Sequence, residues 1–258
     1  MDIDRRKIIA YVHIPKAAGS TITHLLRSRF GLNHCRAFSK SPIYDQTDLK
    51  IDKWVYPNMK SISGHQLRPH VDFGEYEEEL FWFVMLREPN ERFMSQYYWW
   101  RHMNNSSMEF EQWCELKGDK FSNFQVNWLA GEASAQKAID ILDKKIDCAG
   151  SQSFFDDSLK MLRLLSGNTQ IPTHITKKIN VAKKQRESLD IDLCIKYNQK
   201  DIELYDFFLN SKWESQKKIT KNMKAEDEFK DTWVEGLSRN FNLAYHKGVY
   251  TNLKKIFR

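Results

Sequence analysis

Nowhere does the chain run for the ~20 uncharged apolar residues that a membrane span needs, so no membrane-crossing helix is expected. The opening residues Met1-Asp2-Ile3-Asp4-Arg5-Arg6-Lys7 are charged where a secretory leader would be apolar. A cytoplasmic protein, not exported through this end, is the expectation. Cysteine is scarce: Cys35, Cys114, Cys148 and Cys194 are 79, 34 and 46 residues apart, a spacing that fits neither a zinc knuckle nor a redox pair. They are expected to be reduced and structural. No proline follows Pro172, and there is no repeat, low-complexity tract or clear linker, so residues 1–258 read as a single domain.

What is present supports a sizeable core. Of the 258 residues 41% are hydrophobic and 13% aromatic, enough apolar surface to offset chain entropy and to exclude global disorder. The net charge of +6 is uneven. Residues 1–172 hold 22 basic and 22 acidic side chains, and residues 173–258 hold 18 and 12, so the excess lies in the last third. That balance suits an anionic ligand or surface but is too weak and too mixed in sign to indicate nucleic acid.

Ile8 to Ile14 is a short apolar run bounded by Pro15 and reads as a buried strand. From Ser20, the residues Ile22, Leu25, Leu26 and Phe30 recur at helical spacing until Gly31, which gives a strand, a short loop and a helix. Phe81 to Leu86 repeats the unit, with Pro89 where a helix favours its first residue. Between them, Lys60 to His65 reads as a strand that ends at a glycine. Helical patterns follow over 133–146, 156–165 and 199–209. Strands alternating with helices predict an α/β fold, a parallel sheet covered on both faces, with a largely helical C-terminal third. Ligands of such sheets bind beyond the carboxyl ends of the strands, which directs attention to the residues after Ile14, Gly64 and Leu86.

After the first strand come Pro15, Lys16, Ala17, Ala18, Gly19, Ser20 and Thr21. Small residues, two hydroxyls, one cation and a helix N-terminus together suit a phosphate-like anion. The same Gly-Ser-Thr also reads as a plain helix cap. The loop is not a Walker A sequence, because its lysine precedes the glycine. The second strand ends in Arg87, where a P-loop kinase or triphosphatase commonly has a carboxylate that helps hold magnesium. Arg87 and Ser95, eight residues further on, fit a second anionic group; pairing of Arg87 with Glu88 or Glu91 is the alternative. Two anion sites without an evident metal ligand suggest a ligand with two separate phosphate-type groups and no metal requirement.

The segment from His13 to Thr21 (HIPKAAGST) resembles the HIPKTGGTS signature of sulfotransferases related to heparan sulfate 2-O-sulfotransferase and their bacterial relatives. Val84 to Tyr98 (VMLREPNERFMSQYY) is similar to their LRDPVERFLSQY element, and weaker echoes lie at Ser63 to His65, Asn123 to Gly131, Ala149 to Leu159 and Asp201 to Tyr205. The resemblance implies a P-loop-kinase-like sheet and transfer of a sulfuryl group from 3′-phosphoadenosine 5′-phosphosulfate to a hydroxyl, expected on a glycan. It also implies that Lys16, Ala17, Ala18, Gly19, Ser20 and Thr21 bind the 5′-phosphosulfate, and that Arg87 and Ser95 bind the 3′-phosphate. The chain departs from the pattern at Ala17-Ala18 for Thr-Gly, Glu88 for Asp, and Gly150-Ser151-Gln152 where Thr-Glu is common.

Transfer to an alcohol needs a base. His65, after Gly64 at a strand end, resembles the catalytic Gly-His of the family and is the expected base, with Lys16 as the expected catalytic cation. His13 reads instead as a core or strand-end histidine. Tyr97 to Trp100 are expected to lie mostly in the core, and the basic stretch Lys177, Lys178, Lys183, Lys184 and Arg186 reads either as a solvated face, the preferred reading, or as a segment that closes over the donor or attracts an acidic acceptor. A nucleotide-dependent phosphotransferase and a non-catalytic nucleotide-binding module are the competing readings; Arg87 disfavours the first and His65 the second.

Overall fold

The computed structural model describes residues 7–173 and 189–223. The chain begins with β1 (Ile8–Val12), turns into α1 (Gly19–Phe30), and passes through β2 (His34–Arg36), α2 (Gln46–Val55) and β3 (Ser61–Gly64) to β4 (Leu80–Leu86). The helices α3 (Pro89–Met103), α4 (Phe110–Phe121), α5 (Phe124–Ala130) and α6 (Ala135–Lys144) precede β5 (Cys148–Ser151) and α7 (Phe155–Ser166). After the basic stretch at 177–186, which lies outside the described residues, come α8 (Ile191–Phe207), a π-helical turn (Phe208–Trp213) and α9 (Glu214–Thr220). The expected α/β architecture is therefore present, with a helical C-terminal region.

The five strands are all parallel and run in the order β2-β3-β1-β4-β5, so β1 is central. Every residue of β1 and β4 is buried, as a strand covered on both faces requires. On α1 the buried apolar side chains are Ile22, Leu25, Leu26 and Phe30, the stripe read from the sequence. Each such side chain stabilises the fold by about 1.5–3 kcal/mol relative to exposure. A second cluster, built on Phe93, Tyr97, Phe110 and Trp113 with Cys114 and Cys194, fills the space under α3, α4 and α8.

The register sets the site. Val12 pairs with Gly64 on one side and with Val84 on the other, so β1 and β3 end level and β4 runs two residues further, to Leu86. His13 and His65 are the next residues after a paired couple, which brings their side chains to one place. Glycine is required at position 64, since a Cβ there would lie 2.5 Å from the Ala37 carbonyl oxygen.

Two boundaries differ from the sequence reading. β1 ends at Val12, which leaves His13 beyond the strand rather than within it. The last long helix begins at Ile191 instead of 199, capped by Asp190, whose carboxylate accepts from the amides of Asp192 and Leu193. It is kinked at Asn198 (φ −126°), whose side-chain amide donates to the Cys194 carbonyl at 2.7 Å; that break in the pattern concealed its first two turns.

Candidate active site

The loop between β1 and α1 has an unusual backbone. Lys16 (φ 70°) and Ala18 (φ 61°) both take left-handed conformations, with Ala17 between them. Alternation of hand turns successive amides toward one concave side, a nest for an anion. The Ala18 carbonyl accepts from the amides of Thr21 (3.0 Å) and Ile22 (3.2 Å), which starts α1. Those of Ala18, Gly19 and Ser20 meet no acceptor among the described residues. The helix also has no side-chain cap, so Ser20 and Thr21 do not spend their hydroxyls on capping it. Free amides and the positive end of the helix therefore lie together, just after Lys16, and the plain-cap reading of Gly-Ser-Thr does not hold.

Arg87 follows β4 directly and is buried. Its main chain is clamped by Gln125, which accepts from the Arg87 amide and donates to the Arg87 carbonyl, each at 2.9 Å. The guanidinium donates through Nη1 to the Lys16 carbonyl at 3.2 Å and through Nη2 to Glu91 at 3.0 Å. One arginine thus joins the two predicted anion sites and also makes the Glu91 ion pair. Ser95 makes no hydrogen bond to it. Glu91, Ser95 and Trp99 are spaced by four on α3 and so share a face. Glu91 touches Arg87, and the Trp99 ring lies 5.7 Å from the Lys16 ammonium, which sets Ser95 between the two sites.

His65 stands across the strand ends. Its Nδ1 lies 3.2 Å from the His13 carbonyl oxygen, and because a carbonyl only accepts, Nδ1 carries the proton and Nε2 carries the lone pair. The His13 ring packs 4.0 Å from it, and Trp128 meets it edge-on at 6.2 Å. Desolvation by these neighbours lowers the His65 pKa below the ordinary histidine value; Arg68 and Arg36 add to that, and the bond to the His13 carbonyl opposes it. The imidazole is neutral at physiological pH. The Arg68 guanidinium lies 3.2 Å from the centre of the Trp128 ring, and burial brings its pKa down to about 9.

Sequence reasoning missed several supporting residues. Gln125 and Trp128 lie in the noted Asn123 to Gly131 echo, and Asp201 opens another, but no role could be attached to them without the fold. Asp201, fully buried, accepts from the amides of Gln125 (3.1 Å) and Val126 (2.8 Å), and so holds α5 where Gln125 reaches Arg87. Arg68 had no motif. At the end of β5 the departure from Thr-Glu leaves Ser151 bonded to the Tyr205 hydroxyl at 2.8 Å, a structural tie, with Gln152 exposed. Of the aromatic run, Tyr97 is buried and donates to the Met108 carbonyl, Tyr98 and Trp100 are half-buried, and Trp99 is exposed.

Among known protein families, the one described as “Sulfotransferase family” has a model that matches residues 1–208. No curated protein matches the chain.

Proposed function

Since the chain belongs to the sulfotransferase family, we propose that it transfers a sulfuryl group from 3′-phosphoadenosine 5′-phosphosulfate to a hydroxyl of a glycan, as a relative of heparan sulfate 2-O-sulfotransferase. The observation that best supports this reading is the hydrogen bond from Arg87 to the Lys16 carbonyl, which ties together the two stretches proposed to hold anions. A donor with phosphate-type groups on the 3′ and 5′ positions of one ribose fits such an arrangement; a metal–triphosphate would call for a carboxylate where Arg87 stands.

The chemistry follows from the residues. The 5′-phosphosulfate lies on the amides of Ala18, Gly19 and Ser20, with the hydroxyls of Ser20 and Thr21 as further donors, and Arg87 and Ser95 take the 3′-phosphate. The acceptor oxygen attacks sulfur in line while the bond from sulfur to the bridging oxygen breaks. The acceptor proton passes to Nε2 of His65, and 3′-phosphoadenosine 5′-phosphate leaves. Lys16 acts where the bridging oxygen gains charge, a kind of contact worth about 2.7–4 kcal/mol in comparable sites. The reading extends to one catalytic domain over residues 1–258 that needs no metal or nucleic acid, in the reducing cytoplasm, where four buried free cysteines are at home.

The test pairs binding with turnover. 3′-Phosphoadenosine 5′-phosphate should raise the melting temperature where ATP with magnesium does not, and radiolabelled donor should pass sulfate to members of a glycan panel. His65→Ala should keep the thermal shift and lose on the order of 10²–10⁴ in rate. Stabilisation by magnesium–ATP instead, or transfer that survives in His65→Ala, would overturn the donor or the base respectively.

A further inference from the structure

His13, read from the sequence as a core or strand-end residue, touches three parts of the site at once. Its ring packs on His65 at 4.0 Å, its carbonyl holds the His65 tautomer, and its Nδ1 lies 3.4 Å from the Thr23 hydroxyl on α1. The opposite edge of the ring lies over Gly19. A Cβ at that position would come 1.8 Å from Cδ2 and 2.0 Å from Nε2, so glycine there makes room for this imidazole. The Cα–Cβ direction of a helical residue tilts toward the helix N-terminus. The Nε2 edge therefore lies on the side to which the unused amides of α1 point.

A string of partly buried hydrogen bonds is satisfied throughout when the proton of His13 sits on Nε2. The Ser63 hydroxyl donates to Thr23 Oγ1 at 3.4 Å. With its proton spent there, Ser63 accepts from Nε2 of the buried His34 at 3.3 Å, and His34 Nδ1 accepts from the Ser61 hydroxyl at 2.8 Å. Thr23 then has its own proton to give to His13 Nδ1, 3.4 Å away. Nδ1 is then the acceptor nitrogen and Nε2 the N–H.

We propose that His13 is a further donor-binding residue, whose neutral Nε2–H gives a hydrogen bond to the anionic group held over Gly19. The inference rests on the sulfuryl-transfer reading above. Burial, with His65, Arg27 and Arg36 nearby, pushes the His13 pKa down to about 3, so this N–H adds a bond without adding a charge. The division of labour is that His65 accepts a proton through Nε2 whereas His13 donates a hydrogen bond through its own.

Two substitutions and one spectrum test it. His13→Phe keeps a ring against His65 and removes the N–H; His13→Gln keeps an amide N–H close to where Nε2 stands. By calorimetry, His13→Phe should bind 3′-phosphoadenosine 5′-phosphate about tenfold or more weakly, as loss of a hydrogen bond to a charged group implies, and His13→Gln should recover part of that. The acid limb of kcat/KM, which belongs to His65, should persist in both. In the wild-type protein, nitrogen-15 NMR should find His13 as the Nε2–H tautomer, with that nitrogen shifting when the nucleotide is added. The Nδ1–H tautomer, unchanged nucleotide affinity in folded His13→Phe, or loss of the acid limb in that variant would each overturn the inference alone. A wild-type protein with no affinity for the nucleotide would overturn the sulfuryl-transfer reading with it.

Discussion

Ala18 occupies a conformation that a Cβ resists. At φ 61° an alanine costs roughly 1–2 kcal/mol relative to right-handed backbone, a cost glycine escapes. The family signature that the loop resembles has glycine at this place, and the departure was visible in the sequence, but the dihedral angle that gives it meaning was not. The left-handed turn at Ala18 is what shapes the loop, and local strain tends to be retained at functional sites. Ala18→Gly should therefore stabilise the protein, by up to about 1 kcal/mol once the extra freedom of glycine in the unfolded chain is subtracted. The expected outcome is a higher urea midpoint with an unchanged slope. A lower midpoint would show that the loop is not strained at this residue.

The elements were legible in proportion to their length and purity. β1 and β4 are continuous apolar runs, and α3 begins at Pro89 with Glu88 accepting from the amides of Asn90 and Glu91, so all three could be read before any fold was known. β2 and β5 could not. His34–Arg36 and Cys148–Ser151 are three and four residues long, polar or small, and are strands because β3 and β4 pair with them. The clamp of Gln125 on Arg87 was hidden for a related reason: its three parts, Arg87 after β4, Gln125 on α5 and Asp201 on α8, are distant in sequence and meet only in the fold. That clamp turns Arg87 toward Lys16, and a prediction follows at this scale. Removal of the guanidinium in Arg87→Ala should weaken binding of 3′-phosphoadenosine 5′-phosphate by at least tenfold, since charge-assisted bonds are worth about 1.5–3 kcal/mol each. Adenosine 5′-phosphosulfate, which lacks the 3′-phosphate, should bind almost unchanged. If calorimetry finds both ligands weakened alike, Arg87 serves the loop through the Lys16 carbonyl and not the ligand.

Across the whole molecule, the carboxyl ends of β1 and β3 gather ionisable groups whose folded state resists protonation. Burial lowers the pKa of His13 to about 3 and also lowers those of His65 and His70, with cationic neighbours adding to the effect. The unfolded chain, with histidines near 6.5, then takes up protons first as the pH falls. Stability therefore declines with acid below about pH 6.5, and for His13 the decline, at up to about 1.4 kcal/mol per pH unit, continues toward pH 3. Asp147 and Asp201 work in the opposite direction, because burial raises their pKa values and acid relieves them. A bare melting curve against pH sums both signs, so the informative measurement is the difference between wild type and His13→Phe. The variant should lose stability less steeply between pH 6 and pH 4, whatever its stability at neutral pH, because the carboxyl contributions are common to both proteins. Equal slopes would mean that His13 is not held neutral by the fold. With His65 in the proposed role of base, the acid limb of activity should lie below the ordinary histidine value for the same reason, so that activity persists into mildly acidic solution.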